Sequence, residues 1–251
     1  MKFADLHLHT VFSDGTSSPL ELITESQKAG LSAIAVVDHD TIDGIAPTLK
    51  AAATGDIEVL PGIELSAEYE GLEIHILGYL IDYGHQDLLA KIATIKNNRI
   101  ERIYAILDKL KPLGVNLDPK IVFDIAKQGT VGRLHIAKAL VREGKVGSIF
   151  EAFRKYLGDK SPAFCLGFRF SPAEAIKLIK ASGGIPILAH PYVLHDDDLI
   201  FKFIDYGLMG LEVYYPEHSQ SMINFYLNLA KAHDLLVTGG SDFHGDGKPE
   251  V

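Results

Sequence analysis

Short apolar runs alternate with helical segments at both ends of this chain, and most of the runs lead into a histidine or a carboxylate. Phe3–Leu8, Ala33–Val37, Ile57–Leu60 and Glu73–Ile81 read as strands in the first part. Ile185–Ala189, Leu211–Tyr214 and Leu235–Thr238 read as strands in the last. Short continuous apolar runs fit strands covered on both faces. The helices between them are punctuated: Ser18-Pro19 supplies an N-cap and a first-turn proline, Gly30 a stop, and Ser171-Pro172-Ala173-Glu174 has capping-box spacing. Strand–helix repetition predicts an α/β fold with a parallel sheet closed into a barrel.

The pattern changes from about Gln86. Leu88, Leu89, Ile92, Ile95, Ile100, Ile103, Ile106, Leu107 and Leu110 form one long apolar stripe that stops at Pro112 and Gly114, and further helices are expected over Pro119–Ala126, Leu134–Glu143 and Ser148–Tyr156. The expected organisation is a discontinuous barrel domain, 1–85 and 165–251, carrying an inserted helical domain, 86–164. A chain of 251 residues, 47% hydrophobic, can bury a core of that size. The single cysteine, Cys165, excludes an internal disulfide, and its neighbours Phe164, Leu166 and Phe168 suggest a core thiol. Met1-Lys2-Phe3-Ala4-Asp5 meets polar residues too early for a signal peptide, and no run nears the roughly 18 apolar residues of a membrane span. A cytoplasmic protein is expected. The formal charge of −9 argues against gripping long duplex nucleic acid, although bound divalent ions would make a site locally positive.

The polar residues after the apolar runs carry the chemistry. The first run holds Asp5-Leu6-His7-Leu8-His9, with Ser13-Asp14-Gly15 just beyond. Asp38-His39-Asp40, Gly62-Ile63-Glu64, His190-Pro191 and Ser241-Asp242-Phe243-His244 follow later runs, and His75 lies inside one. Each has an ordinary explanation: His-x-His on a half-exposed strand, Asp38 and Asp40 in a solvated turn, His75 in the core, Pro191 as a terminator. In a parallel barrel, however, the C-terminal strand ends converge. Separate segments would then bring imidazoles and carboxylates, the ligands of divalent transition metals, into one small volume.

Together these motifs resemble the polymerase and histidinol phosphatase (PHP) family, and the resemblance spans the chain outside the helical insertion. It implies a distorted seven-stranded (βα)7 TIM-like barrel, which the seven runs match. It further implies a metal-dependent phosphoesterase with two or three divalent transition-metal ions, manganese, iron or zinc. One ion would use His7, His9, Glu64 and Asp242; a second would share Glu64 and add His75 and His190; a third would use Asp14, His39 and His244. Such ions acidify a bound water and neutralise phosphate charge, so no side-chain nucleophile is needed. Thr130-Val131-Gly132-Arg133-Leu134-His135 and Tyr214-Tyr215-Pro216-Glu217-His218 are similar to the nucleotide-directed branch of the family. That likeness implies a small phosphorylated substrate, a nucleoside 3′,5′-bisphosphate, AMP or short RNA taken from its 5′ end, with Arg133, His135 and His218 in contact with it.

Three other readings compete. A metal-dependent amidohydrolase also places His-x-His on its first strand, but commonly bridges its metals with a strand-end lysine, and none ends a strand here. A histidinol-phosphatase-like enzyme is disfavoured by the helical insertion. A non-catalytic PHP module should have lost ligands, and all nine are present.

Overall fold

The computed structural model describes residues 2–53, 55–126, 129–158, 160–165, 167 and 170–245. Seven strands form one sheet in chain order: β1 (Phe3–Leu8), β2 (Leu31–Val36), β3 (Glu58–Tyr69), β4 (Leu72–Tyr79), β5 (Ile185–Leu188), β6 (Gly210–Tyr214) and β7 (Leu236–Gly239). The sheet is mixed, not parallel throughout as expected. β4 runs antiparallel to both β3 and β5. The cause is local: Glu70 and Gly71 take φ of 52° and 85°, closing a two-residue hairpin that returns the chain beside β3 at once. β3 also runs well past its expected end, so Glu64 stands mid-strand. Backbone hydrogen bonds from His9 to Phe243 (3.0 Å) and from Phe243 to His7 (3.3 Å) join β1 to the segment after β7. The two edges of the sheet therefore meet.

Alternation along β2 divides the packing. Ile34 and Val36 join Leu22, Ile23, Ala52 and Ile57 in one apolar group, with α1 (Pro19–Lys28) and α2 (Ile45–Ala52) contributing. Ala35 and Val37 join Leu77, Tyr79, Ile187 and Ala189 in another. A register irregularity between Asp5 and Leu8 interrupts this alternation in β1. Leu6 packs with the second group and Leu8 with the first. The expected caps are formed: Ser18 and Ser171 each accept from the N–H three residues on and are met by Glu21 and Glu174, each cap contributing about 1 kcal/mol.

The chain divides into two compact units, Met1–Lys91 with Arg169–Val251, and Ile92–Phe168. The second is helical. Ile103, Ile106, Leu107 and Leu110 of the helix α3 (Gln86–Leu110) pack with Val122 of α4 (Pro119–Ala126) and with Ile136, Ala139 and Leu140 of α5 (Arg133–Arg142). Cys165 packs half-buried against this core, as an inert thiol would; its neighbours Leu166 and Phe168 lie outside the described residues. No helix among the described residues is long and apolar enough to cross a membrane.

Candidate metal centre

Six strands and the loops that follow them deliver the polar groups. His7 and His9 come from β1 and its end, both fully buried. Asp14 sits in the next loop, whose turn is tight enough that a Cβ on Gly15 would lie 2.7 Å from the His9 carbonyl oxygen. That loop is tied down by Asp38, which accepts from the Thr10 N–H (2.7 Å), the Thr10 hydroxyl (2.7 Å) and the Ser13 hydroxyl (2.6 Å). Of Asp38-His39-Asp40, then, only His39 faces the cluster's carboxylates. Asp40 accepts from the Ser66 N–H, and its own N–H donates to the Glu64 carbonyl. Glu64 comes from β3, His75 from β4, His190 from the end of β5, and Asp242 and His244 from beyond β7. Asp40, His190 and Asp242 have φ of 51°, 29° and 56°, each costing roughly 1–3 kcal/mol of backbone strain.

Three sets of ligand atoms lie within 4.8 Å of one another: His7, His9, Glu64 and Asp242; His9, Asp14, His39 and His244; and His39, Glu64 and His75. The first reproduces an expected set. The second adds His9 to an expected set. In the third, His39 stands where His190 was expected, and His190 Nε2 lies 3.4 Å from Glu64 Oε1. The Glu64 oxygens face opposite ways. Oε2 is 3.2 Å from Nε2 of both His7 and His9 and 3.1 Å from His39 Nδ1, while Oε1 is 2.9 Å from His75 Nδ1. On the other side of His9, His244 Nε2 is 3.2 Å from Asp14 Oδ1.

Both ring nitrogens of His9, Glu64 Oε1 and His75 Nδ1 are buried yet make no hydrogen bond of acceptable geometry among the described residues. Buried lone pairs that converge without satisfying one another cost free energy unless a cation takes them. The donor set, imidazole nitrogens with carboxylate oxygens, therefore fits divalent transition ions.

The electrostatics follow. Burial opposes charge on Glu64, His9, His75 and His39, and on the first three the neighbours outweigh it. Glu64 is held well below the usual carboxylate range by His39, His7 and His75. Against the same burial, Asp242 and Glu64 raise His9 to about 9, and Glu64 raises His75 to about 10. His39 is the exception, pushed by burial down to about 4. Without metal, the ion pairs of His9 and His75 stabilise the fold below the ordinary histidine value near 6.5, and that stability is lost as pH rises through about 9 and 10. Metal must displace those protons. Its apparent affinity should rise about tenfold or more per unit between about pH 6 and 8, with proton release measurable by calorimetry in buffers of different ionisation heat. A pH-independent affinity would show that the histidines are neutral beforehand.

Sequence reasoning missed Glu212, a fully buried carboxylate on β6 that bonds His7 and the His190 backbone. It also missed Tyr215, whose hydroxyl donates to Asp242 Oδ2 at 2.8 Å. An acidic residue inside the apolar run Leu211–Tyr214 was the available signal for the first.

The three residues expected at the substrate are placed as follows. Arg133 lies over the rings of Phe153 and Phe164 and donates to the Leu157 carbonyl (3.1 Å). His135 accepts from the Gly132 N–H at the start of α5. His218 is buried among Tyr192, Tyr215 and Tyr226; its Nδ1 bonds the Val213 carbonyl and its Nε2 has no hydrogen-bond partner among the described residues.

Comparison with known proteins places the chain among enzymes of phosphate esters. The profile of the PHP domain matches residues 5–131. A 5′-3′ exoribonuclease of Haemophilus influenzae is 37% identical, over 96% of this chain and 89% of its own length. A 3′,5′-nucleoside bisphosphate phosphatase of Chromobacterium violaceum is 32% identical, over 97% and 88%. Among solved structures, a Bifidobacterium adolescentis protein assigned as a metal-dependent phosphoesterase superposes with a TM-score of 0.89 at 33% identity, over 99% of this chain and 90% of that one.

Proposed function

This chain belongs to the PHP domain family, and from that premise we propose that it is a metal-dependent phosphoesterase acting on nucleotides: nucleoside 3′,5′-bisphosphates, or short RNA from its 5′ end. The observation that carries this reading is the convergence of three ligand sets on Glu64 and His9, with buried lone pairs left over. Nine residues would hold two or three divalent ions: His7, His9, Asp14, His39, Glu64, His75, His190, Asp242 and His244. Bound there, such ions supply an acidified water as nucleophile and neutralise the phosphate. The chain's own work is orientation. Glu64 offers one oxygen to each side, which spaces two ligand sets. Asp38 fixes the loop that aims Asp14. The Ser13 hydroxyl is committed to Asp38 at 2.6 Å, so it is no free nucleophile. Activity with Mn²⁺ on nucleoside bisphosphates and 5′-phosphorylated short RNA, and none on amides or histidinol phosphate, is the expected outcome of a substrate panel. Amide turnover alone would overturn it.

Arg133, His135 and His218 stand in this reading as contacts to the substrate. Arg133→Ala should lower kcat/KM for a nucleoside bisphosphate about ten- to a hundredfold at unchanged metal content, the loss of a charge-assisted hydrogen bond, and leave p-nitrophenyl phosphate hydrolysis little changed. Equal losses on both substrates would instead assign Arg133 to packing against Phe153 and Phe164.

A further inference from the structure

Glu212 sits between Leu211 and Val213 on β6, with no exposed surface, and each of its oxygens faces a separate partner. Oε1 lies 2.8 Å from His7 Nδ1. Oε2 accepts the backbone N–H of His190, also at 2.8 Å. With both Glu212 oxygens acting as acceptors, the proton of the first contact sits on His7 Nδ1. Nε2 of His7 faces Glu64 Oε2 (3.2 Å) and Asp242 Oδ1 (3.4 Å), and it is this nitrogen whose lone pair a bound metal would take. The second contact holds the peptide of His190, whose φ of 29° and ψ of 61° would not persist unsupported. β6 pairs with β5 and β7 but not with β1, so Glu212 reaches beyond its neighbours in the sheet to touch the ligand strand.

We propose that Glu212 is a positioning residue: one buried carboxylate that fixes the tautomer and aim of His7 and the backbone turn at His190, and so sets two histidines on opposite sides of Glu64. This rests on the reading of His7 and His190 as metal ligands. A carboxylate behind a ligating imidazole fixes its ring and raises its basicity, and loss of such a partner commonly weakens metal binding 10–100-fold.

Glu212→Gln keeps the shape but replaces one acceptor with a donor. Either one of the two contacts fails, or His7 turns to the tautomer that accepts at Nδ1 and carries its proton on Nε2, the nitrogen meant for metal. Titration of the metal-free variant with Mn²⁺ against a competing chelator should show about 10–100-fold weaker binding than wild type. The thermal midpoint of the metal-free protein should move less than that of the Mn²⁺-loaded protein, the reverse of what a merely structural role gives. Independently of whether the variant folds, ¹⁵N spectra of the Zn²⁺-loaded wild type with labelled histidine should show His7 protonated at Nδ1. A proton on His7 Nε2, or a folded Glu212→Gln protein with wild-type Mn²⁺ affinity, overturns the role of Glu212. Wild-type protein that takes up no Mn²⁺ overturns the ligand reading beneath it.

Discussion

Glu64→Ala should strip most of the divalent metal from the protein and lower phosphoesterase turnover by roughly 10²–10⁴-fold. Glu64 has no exposed surface, and its two oxygens face imidazoles of His7, His9, His39 and His75 at 2.9–3.2 Å. Removing one partner from a buried ionic cluster typically costs 3–5 kcal/mol, because the remaining charges are left uncompensated. At about 1.4 kcal/mol per tenfold, that is the range given. His75→Ala should do less: its side chain is 19% exposed and belongs to one ligand set, whereas Glu64 belongs to two. Elemental analysis and Mn²⁺-saturated kinetics of both variants make the comparison. Near-native metal content in Glu64→Ala would dissolve the idea of a shared carboxylate.

The second large effect belongs to a residue that touches no metal in this reading. Asp38→Ala removes the acceptor of one backbone N–H and two hydroxyls, all within 2.7 Å and buried. Each orphaned buried donor costs about 1–3 kcal/mol, so a total near 3 kcal/mol is expected. For a chain of this size that lowers Tm by roughly 6–12 °C. Asp38→Asn should be nearly neutral. Its carbonyl oxygen can still accept from Thr10 N–H and Ser13, and its amide can donate to a reoriented Thr10 hydroxyl. Burial already pushes the Asp38 carboxyl above the usual range despite those bonds, so neutralising it costs little. Thermal melts of the pair separate a clamp from a ligand: a ligand would lose metal in both variants.

Much of the strand order and of the clustering of polar groups was legible because apolar strands with polar ends leave local marks. His7, His9, His39, Asp242 and His244 follow or close apolar runs, and an apolar strand with a polar end can be read from a few residues. The caps at Ser18 and Ser171 are equally local. What was not legible depends on partners distant in sequence. Asp38 and His39 are adjacent and both polar, yet one binds a loop and the other faces the cluster, a difference set by where Thr10 and Ser13 lie. The direction of β4 turned on Glu70-Gly71, a hairpin signal hidden because the sequence reading ended β3 at Leu60, before Pro61-Gly62. With β3 cut short, its hairpin with β4 disappeared and a parallel sheet looked sufficient. Glu212 escaped because its partners, His7 and the His190 amide, are 205 and 22 residues away.

The meeting of the sheet's two edges also imposes an order in time. Strands pair in chain order, so neighbours can find one another as synthesis proceeds, the N-terminal ones first. The junction of His7 and His9 with Phe243 is different: it awaits the segment beyond β7. Asp242 and His244 arrive with that segment, and each completes a different ligand set begun by His9. A chain still on the ribosome can therefore own most of its sheet while neither set is whole. In the proposed reading, those two sets gain their full grip on metal only once the segment after β7 is made, and a fragment without it would keep just the set of His39, Glu64 and His75.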